Sequence, residues 1–306
     1  MRHETAGDPM SGLKWTRKTT AKIAEALNQL DVSVSPKTVA RLLKKMNYSL
    51  RVNHKKRSFG SSPDRDEQFR YLNHLRGWFT GRGEPVISVD TKKRELIGEF
   101  KNPGVTWERE PIAVKDHDFR TEALGVGIPY GIYDLQANRG HVFIGVSYNT
   151  PEFAVDSIQS WWSLEGRARY PSAAKLLILA DSGGSNGVTP RLWKLALQQR
   201  LCDRHGLCVT VCHYPSGASK WNPIEHRLFG EISKNWAGKP LDSYETMLKY
   251  IRTTKTESGL RVRARLVTKQ YEKGRKVSDA EMREMQIARP KKLIRWNYTL
   301  RPSVEM

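Results

Sequence analysis

Two periodicities alternate along this chain, and each marks a different kind of element. Apolar residues at Ala21, Ile23, Ala24, Leu27 and Leu30 fall close to one stripe of a helix over 19–30. A turn-prone stretch, 31–35, follows, and Ser35 backed by Pro36 reads as an N-cap and first helical residue. The helix they open is expected to run through Met46 and to bury Val39, Leu42, Leu43 and Met46. Lys37, Thr38, Arg41, Lys44 and Lys45 then lie on its other side. A Ser/Gly/Pro stretch at 58–64 breaks the pattern. Residues 65–79 are helical again, with Phe69, Leu72, Leu75 and Phe79 on one face.

From residue 84 onward the period shortens. Residues 85–90 (PVISVD) alternate as a strand, and 130–135 with 141–147 (HVFIGVS) form a hairpin pair around 137–140. Residues 175–180 (KLLILA) are a short apolar run, the signature of a strand covered on both faces. Helices are expected at 151–165, 190–204 and 223–236, a strand at 207–214, and a last strand at 296–299 packing back on the body. Three early strands followed by strand and helix in alternation describe an α/β fold, a mixed sheet flanked by helices. The expected division is an all-α segment at 1–57, a linker at 58–64, the α/β domain at 65–237 and a basic extension at 238–306. In that extension Arg261, Arg263, Arg265, Lys269, Lys273, Arg275 and Lys276 form either a phosphate-facing surface or a solvated tail.

Charge narrows the function. Lys and Arg number 52 against 32 Asp and Glu, a formal net charge of +20. Such an excess concentrates polyanions, nucleic acid above all, with a ribosome-associated or merely basic protein as the alternative. Helix, tight turn and basic second helix match the helix-turn-helix layout, whose second helix enters the major groove. The alternative is a small helical hairpin with a solvated basic face. Arg51, His54, Lys55, Lys56 and Arg57 extend the basic surface and favour DNA. No apolar run reaches the roughly 18 residues of a membrane span, and the start has no signal-peptide pattern, so a cytoplasmic, nucleoid-associated protein is expected. Cys202, Cys208 and Cys212 make no disulfide framework. With His205 and His213 they raise the question of zinc, but the spacing fits no paired-ligand pattern, and core cysteines on a buried strand are the better reading.

The sharpest chemical signal is two apolar strands that each end on an aspartate, Asp90 and Asp181. Ligands gather beyond the carboxyl ends of strands in such sheets. A third acid, Glu225, opens the helix after Asn222-Pro223. Magnesium prefers carboxylate oxygens, and two such ions can stabilise the attacking and leaving oxygens at a phosphorus. Each acid also has a bland role: a strand-end turn residue for Asp90 or Asp181, and a capping box with Asn222 for Glu225. The Gly-rich stretch 181–187 lacks the order of a nucleotide-binding loop and reads as a flexible loop that admits DNA.

At these residues the sequence resembles the Rhodopirellula-type DDE transposases of bacterial insertion sequences. The resemblance runs through 89–98 (VDTKKRELIG), 128–134 (IPYGIYD), 180–187 (ADSGGSNG), 219–222 (SKWN), 224–229 (IEHRLF), 259–264 (GLRVRA) and 296–298 (WNY). Residues 222–225 (NPIE) are also similar to the last-acid motif of mariner-like transposases. Ser182 and Pro223 depart from the family pattern, and neither is an acid. The resemblance implies an RNase H-like fold behind an all-α helix-turn-helix domain, and a triad of Asp90, Asp181 and Glu225 holding two Mg²⁺ or Mn²⁺ ions. It implies DNA cleavage and strand transfer on double-stranded DNA, transposon ends and target alike, by a homo-oligomer assembled on the DNA, with no membrane partner. Lys37, Thr38, Arg41, Lys44, Lys45, Arg57, Lys220, Trp221 and His226 are the expected DNA contacts, Trp221 either as a stacking surface or as ordinary packing. Family members usually carry more sequence ahead of the helix-turn-helix, so a truncated copy with weak or no end recognition is also expected. Two other functions compete: a repair nuclease of the same fold, and a DNA-binding regulator or repressor derived from an inactive transposase.

Overall fold

A computed structural model describes residues 5–7, 14–16, 18–49, 63–218 and 221–303. Arg57 and Lys220, two of the expected DNA contacts, lie outside the described residues. The chain divides into two compact units, Met1–Arg57 and Ser58–Met306.

The first unit pairs strands β1 (Thr5–Gly7) and β2 (Lys14–Thr16) and packs helix α1 (Thr20–Asn28) on α2 (Pro36–Lys45). Both helices begin on side-chain caps: Thr19 accepts from the Lys22 N–H at 3.2 Å, and Ser35 from the Thr38 N–H at 3.1 Å. Ile23, Ala24 and Val39 form the small core, with Leu27, Val34 and Leu43 partly buried against it. Two expected core residues are instead on the surface, Leu42 at 43% and Met46 at 58% exposure. The reason is geometric: with a single helix packed on it among the described residues, α2 has cover for only the stripe through Val39 and Leu43.

The second unit is built on a nine-stranded sheet. Its strands are β3 (Val86–Thr91), β4 (Glu95–Ile97), β5 (Gly125–Asp134), β6 (Arg139–Gly145), β7 (Lys175–Ala180), β8 (Cys208–His213), β9 (Arg261–Val267), β10 (Ile287–Ala288) and β11 (Asn297–Leu300). The order across it is β10-β11-β8-β7-β3-β5-β6-β9, with β4 added on β5. β7 runs parallel to both β3 and β8, β9 runs parallel to β6, and the remaining pairs are antiparallel. This is a mixed sheet. The stretch 238–306 is thus no detached tail: it supplies β9, β10 and β11 to the sheet itself.

Helices cover both faces, which is why residues 176–180 have no exposed surface at all. One face holds α4 (Pro151–Trp161), extended by a π-helical turn (Trp162–Gly166) and the short α5 (Arg167–Arg169), together with α6 (Arg191–Leu197). α6 in turn carries the short α9 (Asp279–Glu284). The opposite face holds α3 (Arg65–Thr80), α7 (Gly230–Asn235) and α8 (Tyr244–Thr253). α3 docks through Leu72 and Phe79 onto Val86, Leu177 and Leu179, and α7 docks through Ile232 beside Tyr133 and Val142. Cys202 and Cys212 are buried in these apolar cores. Among the described residues no helix is long and apolar enough to cross a membrane.

Candidate active site

Parallel pairing of β3 with β7 matches Val89 to Ala180, so Asp90 and Asp181 follow side by side on neighbouring strands. Adjacent strands lie about 4.8 Å apart, so two carboxylates at matched strand ends must interact. Both point to the face that carries α7, because Asp90 shares its side of β3 with Ser88, whose hydroxyl contacts Asn222 and Ile224 ahead of that helix.

Glu225 arrives from this helix, and its position depends on a close approach. The chain enters at 223, passes through a π-helical turn at Glu225–Phe229 and continues as α7. Such turns bulge a helix and are frequent at functional sites. Gly131 sits opposite Asp90 on β5, and a Cβ there would lie 2.5 Å from the Phe229 ring and 2.9 Å from Ile224. Only glycine lets the Glu225 helix settle this close to the sheet.

The capping box with Asn222, the alternative role for Glu225, does not form. Asn222, fully buried, turns its side chain inward, where its Oδ1 accepts from the Ser88 hydroxyl and its Nδ2 donates to Asp181 Oδ1 at 3.1 Å. Ser88 Oγ in turn accepts from the Ile224 N–H at 3.3 Å. The Glu225 carboxyl instead lies near Asp90, where it acts to raise the Asp90 carboxyl. Asn222 is therefore a clamp that fixes one aspartate to the helix bearing the glutamate.

Crowded, buried carboxylates resist ionisation. Burial, then the neighbouring Asp181, pushes the Asp90 carboxyl up to about 8, against a lowering hydrogen bond from the Thr91 N–H at 2.7 Å. Burial also raises Asp181, partly offset by Asn222 and reinforced by Glu225. The Tyr130 hydroxyl is buried with no hydrogen-bond partner among the described residues, and burial followed by the field of Asp90 keeps it protonated. No Lys or Arg pairs with any of the three acids among the described residues.

This donor set suits a hard divalent cation: oxygen ligands only, crowded carboxylates, and no Lys or Arg paired with them among the described residues. Among the described residues no three His, Cys, Asp or Glu side chains close around a single point. Magnesium is commonly held by one or two carboxylates with waters and substrate phosphates, so a close pair of acids is compatible with it.

The cleft of about 510 Å³ in front of Asp90 and Asp181 has a basic wall and a polar one. Thr91, Lys92, Lys93 and Arg94 line the first. Residues 182–184 and 215–217, with Asn149 and Asn186, line the second. The sequence reading missed Lys92, Lys93, Arg94 and Asn149 as site residues; the basic run directly after Asp90 was the available signal. The Gly-rich loop is pinned as well as open. Ser185 Oγ donates to Asn149 Oδ1 at 3.1 Å, and Gly184 adopts φ +77°, a conformation that favours glycine. Buried His213 stands 3.0 Å from the Asn186 carbonyl through Nε2 and 3.0 Å from the Trp296 carbonyl through Nδ1.

The remaining expected contacts scatter. Lys37, Arg41, Lys44 and Lys45 are exposed on α2, while the Thr38 hydroxyl is engaged with Ser35 at 3.0 Å. Trp221 is 47% exposed and packs edge-on against Phe69, with the Arg65 guanidinium 5.2 Å from its ring centroid. His226 is exposed one residue past Glu225.

Three structural neighbours are Mos1 transposase assemblies or parts of them. A paired-end complex with the left transposon end aligns at TM-score 0.44 and 16% identity, covering 76% of this chain and 65% of that one. The Mos1 strand transfer complex aligns at TM-score 0.46 and 15% identity, covering 76% and 64%. The catalytic domain of the Mos1 mariner transposase aligns at TM-score 0.40 and 12% identity, covering 63% and 81%. The chain thus spans just under two thirds of the two Mos1 chains in complexes. A search of curated proteins finds no significant match. The family model described as the Rhodopirellula transposase DDE domain matches residues 1–302, nearly the whole chain, and this protein belongs to that family.

Proposed function

We propose that this chain is a metal-dependent DDE transposase that cleaves DNA at the ends of an insertion sequence and joins the freed 3′ ends to target DNA. Its sheet domain is read as RNase H-like, with Asp90, Asp181 and Glu225 as the acids that hold two Mg²⁺ or Mn²⁺ ions. The carrying observation is the pair of carboxylates at adjacent strand ends, with Glu225 near one of them and no cationic partner among the described residues. Bound ions would activate a water or 3′-hydroxyl and offset charge on the phosphorus.

The chain's own groups prepare that site. Asn222 holds Asp181 in one orientation, so its carboxylate needs no reordering when a cation arrives. Lys93 and Arg94 on the cleft wall present positive charge to a DNA strand lying across the acids. Trp221, half exposed, offers a ring face beside it. Helix α2, with Lys37, Arg41, Lys44 and Lys45 outward, is read as the second helix of a helix-turn-helix that enters the major groove. Holding two DNA ends together calls for more than one copy of the chain, on DNA in the bacterial nucleoid.

The test is a Mg²⁺- or Mn²⁺-dependent cleavage and strand-transfer assay on DNA carrying the element's own ends. Loss of both products in Asp90→Ala, Asp181→Ala and Glu225→Ala, each still folded, is expected. A wild type that binds DNA and never cuts it contradicts the reading and leaves a regulator; cleavage without joining leaves a nuclease.

A further inference from the structure

A groove lies away from the acids, at the edge where β9 closes the sheet. It has a volume of about 800 Å³ and shares no lining residue with the cleft, and β9 stands three strand spacings, about 14 Å, from β3. Arg139, Arg169, Arg252, Lys255, Arg261 and Arg263 line it, against a single carboxylate, Glu165.

Strand β9 reads Arg-Val-Arg-Ala-Arg, with Val262 and Ala264 buried and the three arginines exposed. Side chains on one face of a strand recur about every 6.7 Å, so this edge presents cations at a regular spacing. The groove is also built. Partly buried Glu165 bonds His141 Nε2 at 3.1 Å and holds the guanidiniums of Arg263 and of Arg169, the latter at 3.5 Å. The one acid thus anchors two arginines and leaves the others in excess. Arg139, Arg252, Lys255 and Arg261 have no carboxylate partner among the described residues.

Charge on an edge strand also discourages strand pairing between molecules. That explanation needs cations on β9 alone. Here Arg139, Arg169, Arg252 and Lys255 come from β6, α5, α8 and the loop after it, and converge on the same groove.

We propose that the β9 edge is a second DNA surface, gripping backbone phosphates of a duplex outside the cleft. The inference rests on the transposase reading for the choice of duplex DNA as the polyanion. Guanidinium forks suit phosphate oxygens, and contacts to the backbone hold DNA without reading its sequence.

The experiment measures affinity for a short random-sequence duplex by fluorescence anisotropy across a NaCl series, with the full chain. Each neutralised phosphate contributes about 0.9 to the slope of log K against log salt. Arg139→Gln/Lys255→Gln/Arg261→Gln removes cations that hold no ion pair, and is expected to flatten the slope by about 2 to 3. Removing the same charge at exposed Arg82, Lys101 and Arg283 is expected to change it by less than about 1. If the triple variant melts early, Arg261→Gln alone is expected to flatten the slope by about 1 and Arg261→Lys to restore it. An unchanged slope, or an equal loss in the control variant, overturns the proposal. If DNA cleavage by the wild type persists in that case, the transposase reading stands without this surface. A wild type that binds no duplex at low salt overturns both.

Discussion

The cleft at the ends of β3 and β7 and the groove at the β9 edge are electrostatic opposites within one unit. In the cleft, the acids crowd with no Lys or Arg paired to them among the described residues, the basic run 92–94 standing on one wall, and burial holds the Asp90 carboxyl up to about 8. In the groove, six cations face one acid that is already spoken for. Neither arrangement favours the isolated chain, since like charges repel and buried carboxylates lose solvation. Each is relieved by a ligand of the opposite sign. The two sites also differ in order: the cleft is clamped by a buried amide and a close-packed helix, whereas four of the six cations in the groove have no carboxylate partner among the described residues. Chemistry at a phosphorus needs the first kind of order, and holding a backbone needs only the second.

That contrast can be broken most decisively at the acids. Asp181→Ala is expected to reduce strand transfer by at least about 10³-fold while leaving DNA affinity within a few-fold, measured on the same preparation. Equal loss of both would make Asp181 a general structural residue. A smaller effect is expected at the clamp. Asn222→Ala leaves the Ser88 hydroxyl and one Asp181 oxygen without their partner, costing about 1–3 kcal/mol in denaturant unfolding and about 10- to 100-fold in cleavage. Gly131→Ala drives a methyl into Phe229 and Ile224, with an expected cost of about 1–3 kcal/mol by the same measurement.

The pH dependence sharpens the comparison further. A carboxyl raised to about 8 in the folded state binds a proton that the unfolded chain has released above about pH 4. Folding then takes up protons, so Asp90 makes the metal-free protein less stable as pH rises from about 4 to 8. Asp90→Asn is therefore expected to unfold at higher temperature than wild type at pH 8 without divalent cations, with the difference shrinking toward pH 4. A wild type as stable as Asp90→Asn at pH 8 would mean that Asp90 sits in a less hostile site. The smallest effect belongs to the first unit. Leu42→Lys, at an exposed position of α2, is expected to change stability by less than about 0.5 kcal/mol.

Much of the sheet was legible because apolar runs and caps report local structure directly. Lys175–Ala180 is a strand with the predicted limits, and Ser35 caps α2 as its neighbour Pro36 suggested. What escaped depends on contacts made across the fold. Arg261–Val267 alternates with period two, yet its charge drew the reading to a phosphate-facing surface or a solvated tail and away from an edge strand. Asn222 carried every local sign of an N-cap, and only the arrival of Ser88 and Asp181 from distant strands turned its side chain inward. Leu42 and Met46 have helical spacing appropriate to a core, but the small first unit leaves them without cover among the described residues. Asp90 and Asp181 were conspicuous as strand ends, whereas the approach of Glu225 to them required the register of β3 with β7 and the π-helical turn at Glu225.

If the clustered acids await a divalent cation, titration calorimetry of the full chain with Mn²⁺ shows it. Binding by wild type is expected to strengthen from pH 6 to 8, as protons leave Asp90, and to be lost in Asp90→Asn and in Asp181→Asn. Undiminished Mn²⁺ binding in both variants would contradict it.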